Sequence, residues 1–392
     1  MSVFSVIAII VFSYWISMFF IHLAGLPRIP SLPVVERQQG AEPLVSVIVA
    51  GKEEEATIAS TLRGLLQQEY SRFELIAVND RSEDATGERM EAVKRWAQEN
   101  GLGHVPFQVV HVEQLPDGWL GKNHALYEGY RRSQGEILLF TDADIAFQPH
   151  TMRSTVRFLQ ENKVDHLTLA PFLLAKSLVL RGFVQFFLFS LGMLKWMWRP
   201  NNDKQTKMGM GVGAFNMMTR EAYEKIGTHR VIALRPDDDL MLGQRVKQAG
   251  LRQRLATGQQ FLCVEWYPSL RAAMQGLEKN IFAGLDYKLW MVAAGLLGQL
   301  VFYFLPFVGA FVLDGWTQGF FAGAALLLIA MNLMYVKKMT HYSGWEVLLL
   351  PFTVLLFCYI MIRSTFLTLK RGGIYWRGTF YSLSELKKRT SR

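Results

Sequence analysis

The sequence predicts an α/β domain with a mostly parallel sheet, joined to transmembrane helices at its N- and C-terminal ends. From residue 44 onward, short apolar runs alternate with segments of helical length, which is the pattern of βαβ units. One apolar stretch near the N-terminus and three near the C-terminus are each long enough to cross a hydrocarbon core of ~30 Å. The composition agrees, because 51% of the 392 residues are apolar and only 19% are charged.

The N-terminal stretch, Val3 to Leu23, has His22 as its only titratable side chain. No basic residue precedes it, as one would in a signal peptide, so residues 1–25 are expected to be a retained membrane anchor. Arg28 and Arg37 follow, and the positive-inside rule then places the next domain in the cytosol. Residues 26–43 contain four prolines and are predicted to be an extended linker.

Residues 44–285 are predicted to form the cytosolic catalytic domain. The predicted strands are Leu44–Ala50, Phe73–Asn79, Phe107–Val112 and Glu136–Thr141, and the predicted helices are Ala56–Gln68, Asp84–Asn100 and Lys122–Ser133. In a sheet of this kind a ligand binds beyond the carboxyl ends of the strands.

Residues 289–368 are predicted to hold about three further membrane helices, followed by a basic tail at 369–392. The apolar segments are Leu289–Leu313, Gln318–Val336 and Glu346–Thr368. Three crossings would leave the tail outside, although its basic residues favour the cytosol. One segment is therefore expected to be re-entrant or interfacial, and Pro306 makes the first of the three the leading candidate.

The composition also limits the classes of partner that the protein is expected to bind. The net charge of +9 fits attraction to anionic lipid headgroups, and no basic stripe with interleaved aromatic residues indicates a nucleic-acid partner. The two cysteines, Cys263 and Cys358, are far apart in sequence and predict neither a disulfide framework nor a cysteine metal site.

Acidic clusters follow three of the predicted strands, at residues 51–55, 79–84 and 141–144. Parallel strands bring their carboxyl ends to one edge, so these clusters point to one site. Asp142 and Asp144 form a D-x-D directly after a buried strand. Their oxygens suit a hard cation, and Mg²⁺ or Mn²⁺ there would bridge a diphosphate.

The ordered segments VSVIVAGKEEEATI, LIAVNDRSEDATG, GWLGKNHAL, LLFTDAD, GVGAFNMMTREAYEKIG and PDDDLMLGQRVKQAG resemble the motifs of family 2 glycosyltransferases. The resemblance runs from about Val45 to Gly250 and implies the Rossmann-like GT-A fold. The membrane layout is similar to that of hopanoid-associated and carotenoid glycosyltransferases and of ceramide glucosyltransferase. The sequence departs from the family at Asn79 and Asp238, where aspartate and glutamate are usual.

The resemblance implies roles for individual residues. Glu54 and Asp80 would hold the base and ribose of a nucleotide, and Lys122 would lie near its phosphates. Asp142 would contact the ribose or the metal, and Asp144 would ligate the metal. On the acceptor side we expect Gly213, Ala214 and Lys279. Glycines 209, 211 and 213 would allow a close backbone approach to the sugar or acceptor, or form a plain turn.

Asp239 is the expected catalytic base, with Asp238 the next candidate. An inverting transfer needs one carboxylate to take the proton of the acceptor hydroxyl, while the metal assists the leaving group. The alternative is that Asp237–Asp239 only place negative charge at the start of a helix, where the helix dipole favours it. We favour that alternative for Asp237 alone.

The predicted function is transfer of a sugar, with inversion, from a nucleotide-diphosphate sugar to a hydroxyl of a membrane lipid at the cytoplasmic face of the inner membrane, and a UDP-sugar is the expected donor. One alternative is a processive polysaccharide synthase, but Gln275–Asn280 lacks the Arg-Trp pair of the Q-x-x-R-W motif. Another alternative is a non-catalytic lipid-binding or scaffold protein.

Residues 173–198 are apolar enough to resemble a further span. A lone crossing here would put Asp142 and Asp239 on opposite sides of the membrane, which one active site excludes. We expect an in-plane helix whose apolar face, including Phe186 and Phe187, sinks ~5–10 Å into the headgroup boundary. A buried helix of the catalytic domain is the competing interpretation.

Overall fold

The structure is a computed structural model that describes residues 2–36, 42–376, 379–384 and 386. The chain forms two compact units. The sheet unit consists of Pro27–Leu173 and Lys195–Val264, and the helical unit consists of Met1–Leu26, Leu174–Leu194 and Glu265–Arg392.

The helices are α1 (Val3–Gly25), α2 (Ile58–Leu66), α3 (Thr86–Glu99), α4 (Gly121–Arg131), α5 (Thr151–Glu161), α6 (Leu178–Lys195), α7 (Arg220–Lys225), α8 (Asp238–Gln248), α9 (Leu270–Gly284), α10 (Leu289–Gly298), α11 (Leu305–Val312), α12 (Gly315–Met339) and α13 (Leu350–Arg371). A π-helical turn, Gln299–Phe304, joins α10 to α11. The strands are β1 (Val45–Gly51), β2 (Phe73–Asp80), β3 (Phe107–Val112), β4 (Ile137–Thr141), β5 (Ala146–Phe147), β6 (His166–Ala170), β7 (Phe172–Leu173), β8 (Asn216–Thr219), β9 (Gln253–Thr257), β10 (Leu262–Val264), β11 (Gly373–Trp376) and β12 (Thr379–Ser382).

The sheet unit is built on a seven-stranded sheet with the order β3-β2-β1-β4-β8-β6-β9. The pairs β1–β2, β2–β3, β1–β4 and β6–β9 are parallel, and β8 is antiparallel to both β4 and β6. The predicted α/β class with a mostly parallel sheet is therefore confirmed. A smaller sheet of β5, β10 and β7 completes the unit.

Alternation along the buried strands explains why helices cover both faces of the sheet. In β1, Val47 and Val49 enter one apolar cluster with residues of α2, α3 and α5. Ile48, between them, enters a second cluster with residues of α4 and α8. Successive side chains of a strand point to opposite faces, so a strand buried on both faces reads as one continuous apolar run.

The helical unit contains helices that are apolar and long enough to cross a membrane. By length and composition there are five candidates among the described residues: Val3–Arg28, Leu178–Lys195, Leu289–Val312, Gly315–Met339 and Trp345–Arg371. α1 and α12 run parallel, because Ser5 bonds to Thr317 near their starts and His22 to Tyr335 near their ends. Only Leu313 and Asp314 separate α11 from α12, so α10–α11 and α12 form a hairpin.

α13 runs antiparallel to the stretch from α9 to the π turn. It contacts the π turn, and a Cβ on Gly295 would lie 3.4 Å from the sulfur of Met361. Further along, the Ser364 hydroxyl accepts from Phe282 N at 3.3 Å. α12 and α13 therefore both end where α10 begins. The connection between them doubles back, because Gly344 packs against Leu333 of α12.

α6 corrects the expectation of a lipid-facing amphipathic helix. Phe186 is fully buried and packs against Tyr303 and Phe357, and Phe189 packs against Trp15 and Tyr335. The apolar face that the sequence suggested for the headgroups is thus covered by other helices of the same unit. The competing idea of a helix buried in the catalytic domain does not fit either, since Leu178–Leu194 belongs to the helical unit.

Candidate functional site

The loops after β1 and β2 are fastened together at the carboxyl edge of the sheet. Asp84 accepts from the backbone N–H of Glu55 at 3.1 Å, and Glu55 in turn accepts from Ala85 N at 3.1 Å. Glu54 N donates to Thr86 Oγ1 at 2.8 Å, and the Glu54 carboxylate accepts from the Thr57 hydroxyl at 3.1 Å. These bonds fix Glu54 beside the end of β1, as the acidic cluster predicted.

Asp80 ends β2 and is buried, with only 1% of its surface exposed. One carboxylate oxygen accepts from Arg81 Nε at 2.8 Å, and the other, Oδ2, has no hydrogen-bond partner among the described residues. A Cβ on Gly121 would lie 2.2 Å from that oxygen, so only glycine lets α4 start here. A buried carboxylate oxygen without a donor is costly, which marks it as a place for a ligand N–H or O–H.

Asp142 and Asp144 directly follow β4 on the same edge. Burial, together with the charges of Asp142 and Glu54, raises the pKa of Asp144 to about 6. Carboxylates that repel one another in this way are suited to share a cation through their oxygens. The described residues contain no group of three or more His, Cys, Asp or Glu side chains that could hold a metal ion.

Lys122, on the first turn of α4, links the two sides of the site. Its Nζ lies 2.8 Å from Asp142 Oδ1 and 3.4 Å from Asp238 Oδ2. Burial alone would lower the pKa of Lys122, but the charges of Asp142, Asp238 and Asp239 raise it above its ordinary value. The lysine therefore stays protonated and neutralises part of a strongly acidic site.

Asp239 lies on the first turn of α8, and a backbone N–H bonds to each of its oxygens. Oδ2 accepts from Gly213 N at 2.8 Å, and Oδ1 accepts from Leu240 N at 2.7 Å. Burial, followed by the charge of Asp238, raises the pKa of Asp239 to about 7. Burial also raises the pKa of Asp238, against the opposing charge of Lys122. Asp237 instead forms an ion pair with Arg235 at 2.7 Å.

Residues Gly209–Gly213, here called the glycine strap, lie directly against the backbone of α8. A Cβ on Gly209 would lie 2.0 Å from Gly243 O, and one on Gly211 would lie 1.9 Å from Asp239 O. The close approach predicted for these glycines therefore exists, but its partner is a helix of the same unit. At the end of the strap, Gly213 O accepts from Asp142 N at 3.1 Å, while Gly213 N donates to Asp239. The strap thus joins the two acidic groups.

The roles expected for Ala214 and Lys279 on the acceptor side stay predictions. Ala214 is 5% exposed and its methyl group packs into the core of the sheet unit. Lys279 lies on α9 of the helical unit, and its side chain falls outside the described residues. Gly213 does lie in the site, where a Cβ would meet Asp142 Oδ2 at 2.5 Å.

Asn123 is a site residue that the sequence did not single out. Its amide is 1% exposed and donates to the carbonyls of Ile232, Ala233 and Arg235 at 2.8, 3.2 and 2.9 Å. It therefore holds the segment that leads into Asp238 and Asp239. The signal that could have revealed it was its position next to Lys122 in the segment GWLGKNHAL.

A mostly parallel sheet with acidic groups, a lysine and a glycine segment at its carboxyl edge defines, by class, an α/β protein with a candidate ligand site at that edge. The family model of glycosyl transferase family 2 matches residues 46–227. Residues 46–227 therefore form a domain of the glycosyl transferase family 2 type.

Two further similarities agree with this match. The 4,4'-diaponeurosporenoate glycosyltransferase of Staphylococcus aureus is 21% identical over 348 residues, covering 87% of this chain and 89% of the relative. The structure of the mannosyltransferase PcManGT from Pyrobaculum calidifontis, in complex with GDP-Man and Mn²⁺, is 17% identical with a TM-score of 0.52, covering 93% of this chain and 98% of that one. The expected GT-A fold is thereby confirmed.

Proposed function

We propose that the protein transfers a sugar, with inversion at the anomeric carbon, from a nucleotide-diphosphate sugar to a hydroxyl of a membrane lipid. The observation that carries the proposal is the pairing at the carboxyl edge of a D-x-D with a second carboxylate, Asp239, whose pKa is raised to about 7. A general base works best when its pKa lies near the operating pH.

Glu54 and Asp80 are the proposed nucleoside-binding residues. The Asp80 oxygen that has no partner among the described residues fits a ring N–H, which a uracil base offers, and this supports a UDP-sugar as donor. Lys122 would lie near the diphosphate. Its ammonium group, which contacts Asp142 in the structure, would then bond in part to a phosphate oxygen instead.

Asp142 and Asp144 are the proposed ligands of a divalent cation, Mg²⁺ or Mn²⁺. Their oxygen atoms and their mutual repulsion fit such an ion. When bound, the ion would neutralise charge on the departing nucleotide diphosphate. The chain's own part is to hold both carboxylates at the end of β4, with the backbone N–H of Asp142 anchored on Gly213.

Asp239 is the proposed base. Its carboxylate accepts the proton of the acceptor hydroxyl while the hydroxyl oxygen forms a bond to the anomeric carbon. The bond from that carbon to the diphosphate oxygen breaks on the opposite face, so the configuration inverts and the nucleotide diphosphate leaves with the electron pair. Asp238, neighbouring Lys122 at 3.4 Å, is better placed to balance the charge of the lysine than to accept a proton.

A lipid acceptor is supported by the helical unit and by the carotenoid-acid glycosyltransferase named above. Trp316 and Trp290, at the starts of α12 and α10, are 88% and 69% exposed, as tryptophans at the two surfaces of a membrane would be. α10–α11 and α12 are then proposed to cross, together with α1. Lys337 and Lys338 end α12, which favours a cytoplasmic location for that end of the unit.

The C-terminal part of the chain follows from the same arrangement. Because α12 and α13 both end where α10 begins, we propose that the segment from Thr340 through α13 is re-entrant rather than crossing. The expected re-entrant stretch is then not Leu289–Leu313, and the basic end of α13, Lys370 and Arg371, lies on the cytoplasmic side. This removes the conflict between three late spans and a basic tail.

The test is an assay of the full-length protein in lipid nanodiscs with a panel of nucleotide-diphosphate sugars, a membrane lipid extract and Mn²⁺. We expect one donor to give a lipid that gains a sugar mass, with the new bond of opposite anomeric configuration by NMR. Nucleotide release without any glycolipid would exclude the lipid acceptor. A retained configuration would exclude the single-displacement mechanism, and no reaction with any donor would favour the scaffold alternative.

A further inference from the structure

We propose that a buried polar network of Thr168, His166, Asn216 and Gln253 positions the glycine strap and, through it, holds Asp239 in place for proton transfer. The inference rests on the proposed function, since it concerns the same base. All four residues belong to the sheet unit and lie on β6, β8 and β9. Their exposed fractions are 0%, 0%, 3% and 0%, in the order named, so no water competes for their bonds.

Gln253 holds the middle of the strap against α8. Its side-chain oxygen accepts from Met210 N at 3.0 Å, and its Nε2 donates to Gly243 O at 3.1 Å. The same Nε2 approaches His166 Nδ1 at 2.7 Å. One amide thus ties the strap and the helix that carries Asp239 to a single strand, β9.

Thr168 and Asn216 hold the next turn of the strap, at Val212. The Thr168 hydroxyl accepts from Val212 N at 3.0 Å and donates to Phe215 O at 2.8 Å. The Asn216 amide donates to Val212 O at 2.8 Å. Both backbone groups of Val212, the residue before Gly213, are therefore fixed by side chains from the sheet.

The backbone groups that bond to the network determine which atoms donate and which accept. Gln253 Nε2 must be a donor because it bonds to a carbonyl, so His166 Nδ1 accepts and the proton of the ring is on Nε2. That nitrogen lies 3.1 Å from Asn216 Oδ1, the amide oxygen that remains to accept. Burial lowers the pKa of His166 to about 4, which agrees with a neutral ring. A fully satisfied network of this kind defines one geometry.

The strap transmits this geometry directly to the site. Gly209 and Gly211 pack on the backbone of α8, so there is no flexible side chain at the contact to absorb a shift. A displaced strap moves the N–H of Gly213 away from Asp239 Oδ2, which it reaches at 2.8 Å. Small misplacements of about 1 Å at a reacting group can cost about 10²-fold in rate.

Two threonines give a matched test. Thr168 and Thr155 are both fully buried, but among the described residues the Thr155 hydroxyl bonds only within its own helix, to Thr151 O at 2.9 Å and Met152 O at 3.0 Å. Thr168→Val should lower kcat of sugar transfer about 10- to 100-fold, with the donor KM changed less than about threefold. Thr155→Val should leave kcat within about threefold of wild type, and Thr168→Ser, which keeps the hydroxyl, should recover most of the loss.

The outcomes separate the inference from the proposed function. Equal losses in Thr168→Val and Thr155→Val, no recovery in Thr168→Ser, or a change confined to donor KM would each overturn the positioning role. If Thr168→Val does not fold, Gln253→Met, which keeps the side-chain length and removes the bonds to the strap, should show the same selective fall in kcat. A wild-type protein that transfers no sugar would instead overturn the proposed function.

Discussion

The two sides of the site hold their carboxylates in different ways. On the side proposed to bind the nucleotide, Asp80 bonds to a neighbouring side chain and keeps one buried oxygen without a donor among the described residues. On the base side, each oxygen of Asp239 accepts a backbone N–H, and the strap behind it is bonded to the sheet. The contrast indicates that the first side leaves capacity for a ligand, whereas the second fixes a group in place before any ligand arrives.

Metal removal should give the largest effect. If Asp142 and Asp144 share a cation with the diphosphate, EDTA should reduce sugar transfer below detection, and Mn²⁺ or Mg²⁺ should restore it. Transfer is measured by release of the nucleotide diphosphate and by mass spectrometry of the lipid. Full activity in EDTA would remove the cation from the mechanism and leave Lys122 as the main charge at the leaving group.

Asp239→Asn tests the base side. The change keeps the shape and removes proton acceptance, so kcat should fall about 10²- to 10⁴-fold. Donor affinity, measured by calorimetry, should stay near that of wild type, because the proposed base acts on the acceptor hydroxyl and the Gly213 N–H that contacts it is retained. Turnover near the wild-type rate would transfer the role of base to Asp238.

Asp80→Asn tests the nucleotide side. A hydrogen bond to a charged group contributes about 1.5–3 kcal/mol, so the donor KM should rise about 10- to 100-fold while kcat changes little. Asp203→Asn is a suitable control, since Asp203 also pairs with an arginine, Arg254, at 2.6 Å but lies outside the acidic clusters. An unchanged donor KM in Asp80→Asn would show that the Asp80 oxygen without a donor among the described residues does not contact the nucleobase.

The rate of transfer should depend on pH through Asp239, and donor affinity should not. The pKa of Asp239 is raised to about 7 by burial and by Asp238, and only the ionised form accepts a proton. The rate should therefore rise about tenfold per pH unit below pH 7 and level off above it. Donor affinity should not follow this profile. A rate that is constant from pH 5 to pH 8 would argue against Asp239 as the base.

The proposed re-entrant course of α13 can be tested by cysteine labelling. In a background of Cys263→Ser and Cys358→Ser, Thr317→Cys should react with an impermeant thiol reagent added outside intact cells. Ser384→Cys, beyond β12, should react only after the membrane is permeabilised. Activity should change little in either variant. Labelling of Ser384→Cys from outside would mean that α13 crosses the membrane.

The sequence predicted the first four strands along the chain, each of which has an apolar centre. β3 has the predicted bounds, and β1, β2 and β4 differ from prediction by a residue or so at an end. β8 (Asn216–Thr219) was missed because it is short and begins with a polar residue whose amide serves the strap. Its antiparallel pairing with β4 is a long-range feature that no local pattern encodes.

The acidic residues of the site could be identified from the sequence, but the buried residues that hold them in place could not. Asp142, Asp144 and Asp239 stand in motifs, and local charge identifies them. His166 and Gln253 are 87 positions apart, and only the fold shows that they bond to each other. The burial of Phe186 was missed for another reason. An apolar helix face has the same composition whether it meets lipid or other helices, so periodicity does not distinguish the two.

The position of α6 in the chain has a consequence for biosynthesis. β8 and β9 complete the seven-stranded sheet, yet they are translated after α6, whereas β1–β4 and β6 come before it. The apolar helix α6, of 18 residues, is therefore synthesised before the last strands of the sheet exist, and it must be buried or enter the membrane while the sheet is incomplete. Trimming the terminal helices from the gene would not yield a water-soluble catalytic fragment either, because α6 remains between two halves of the sheet.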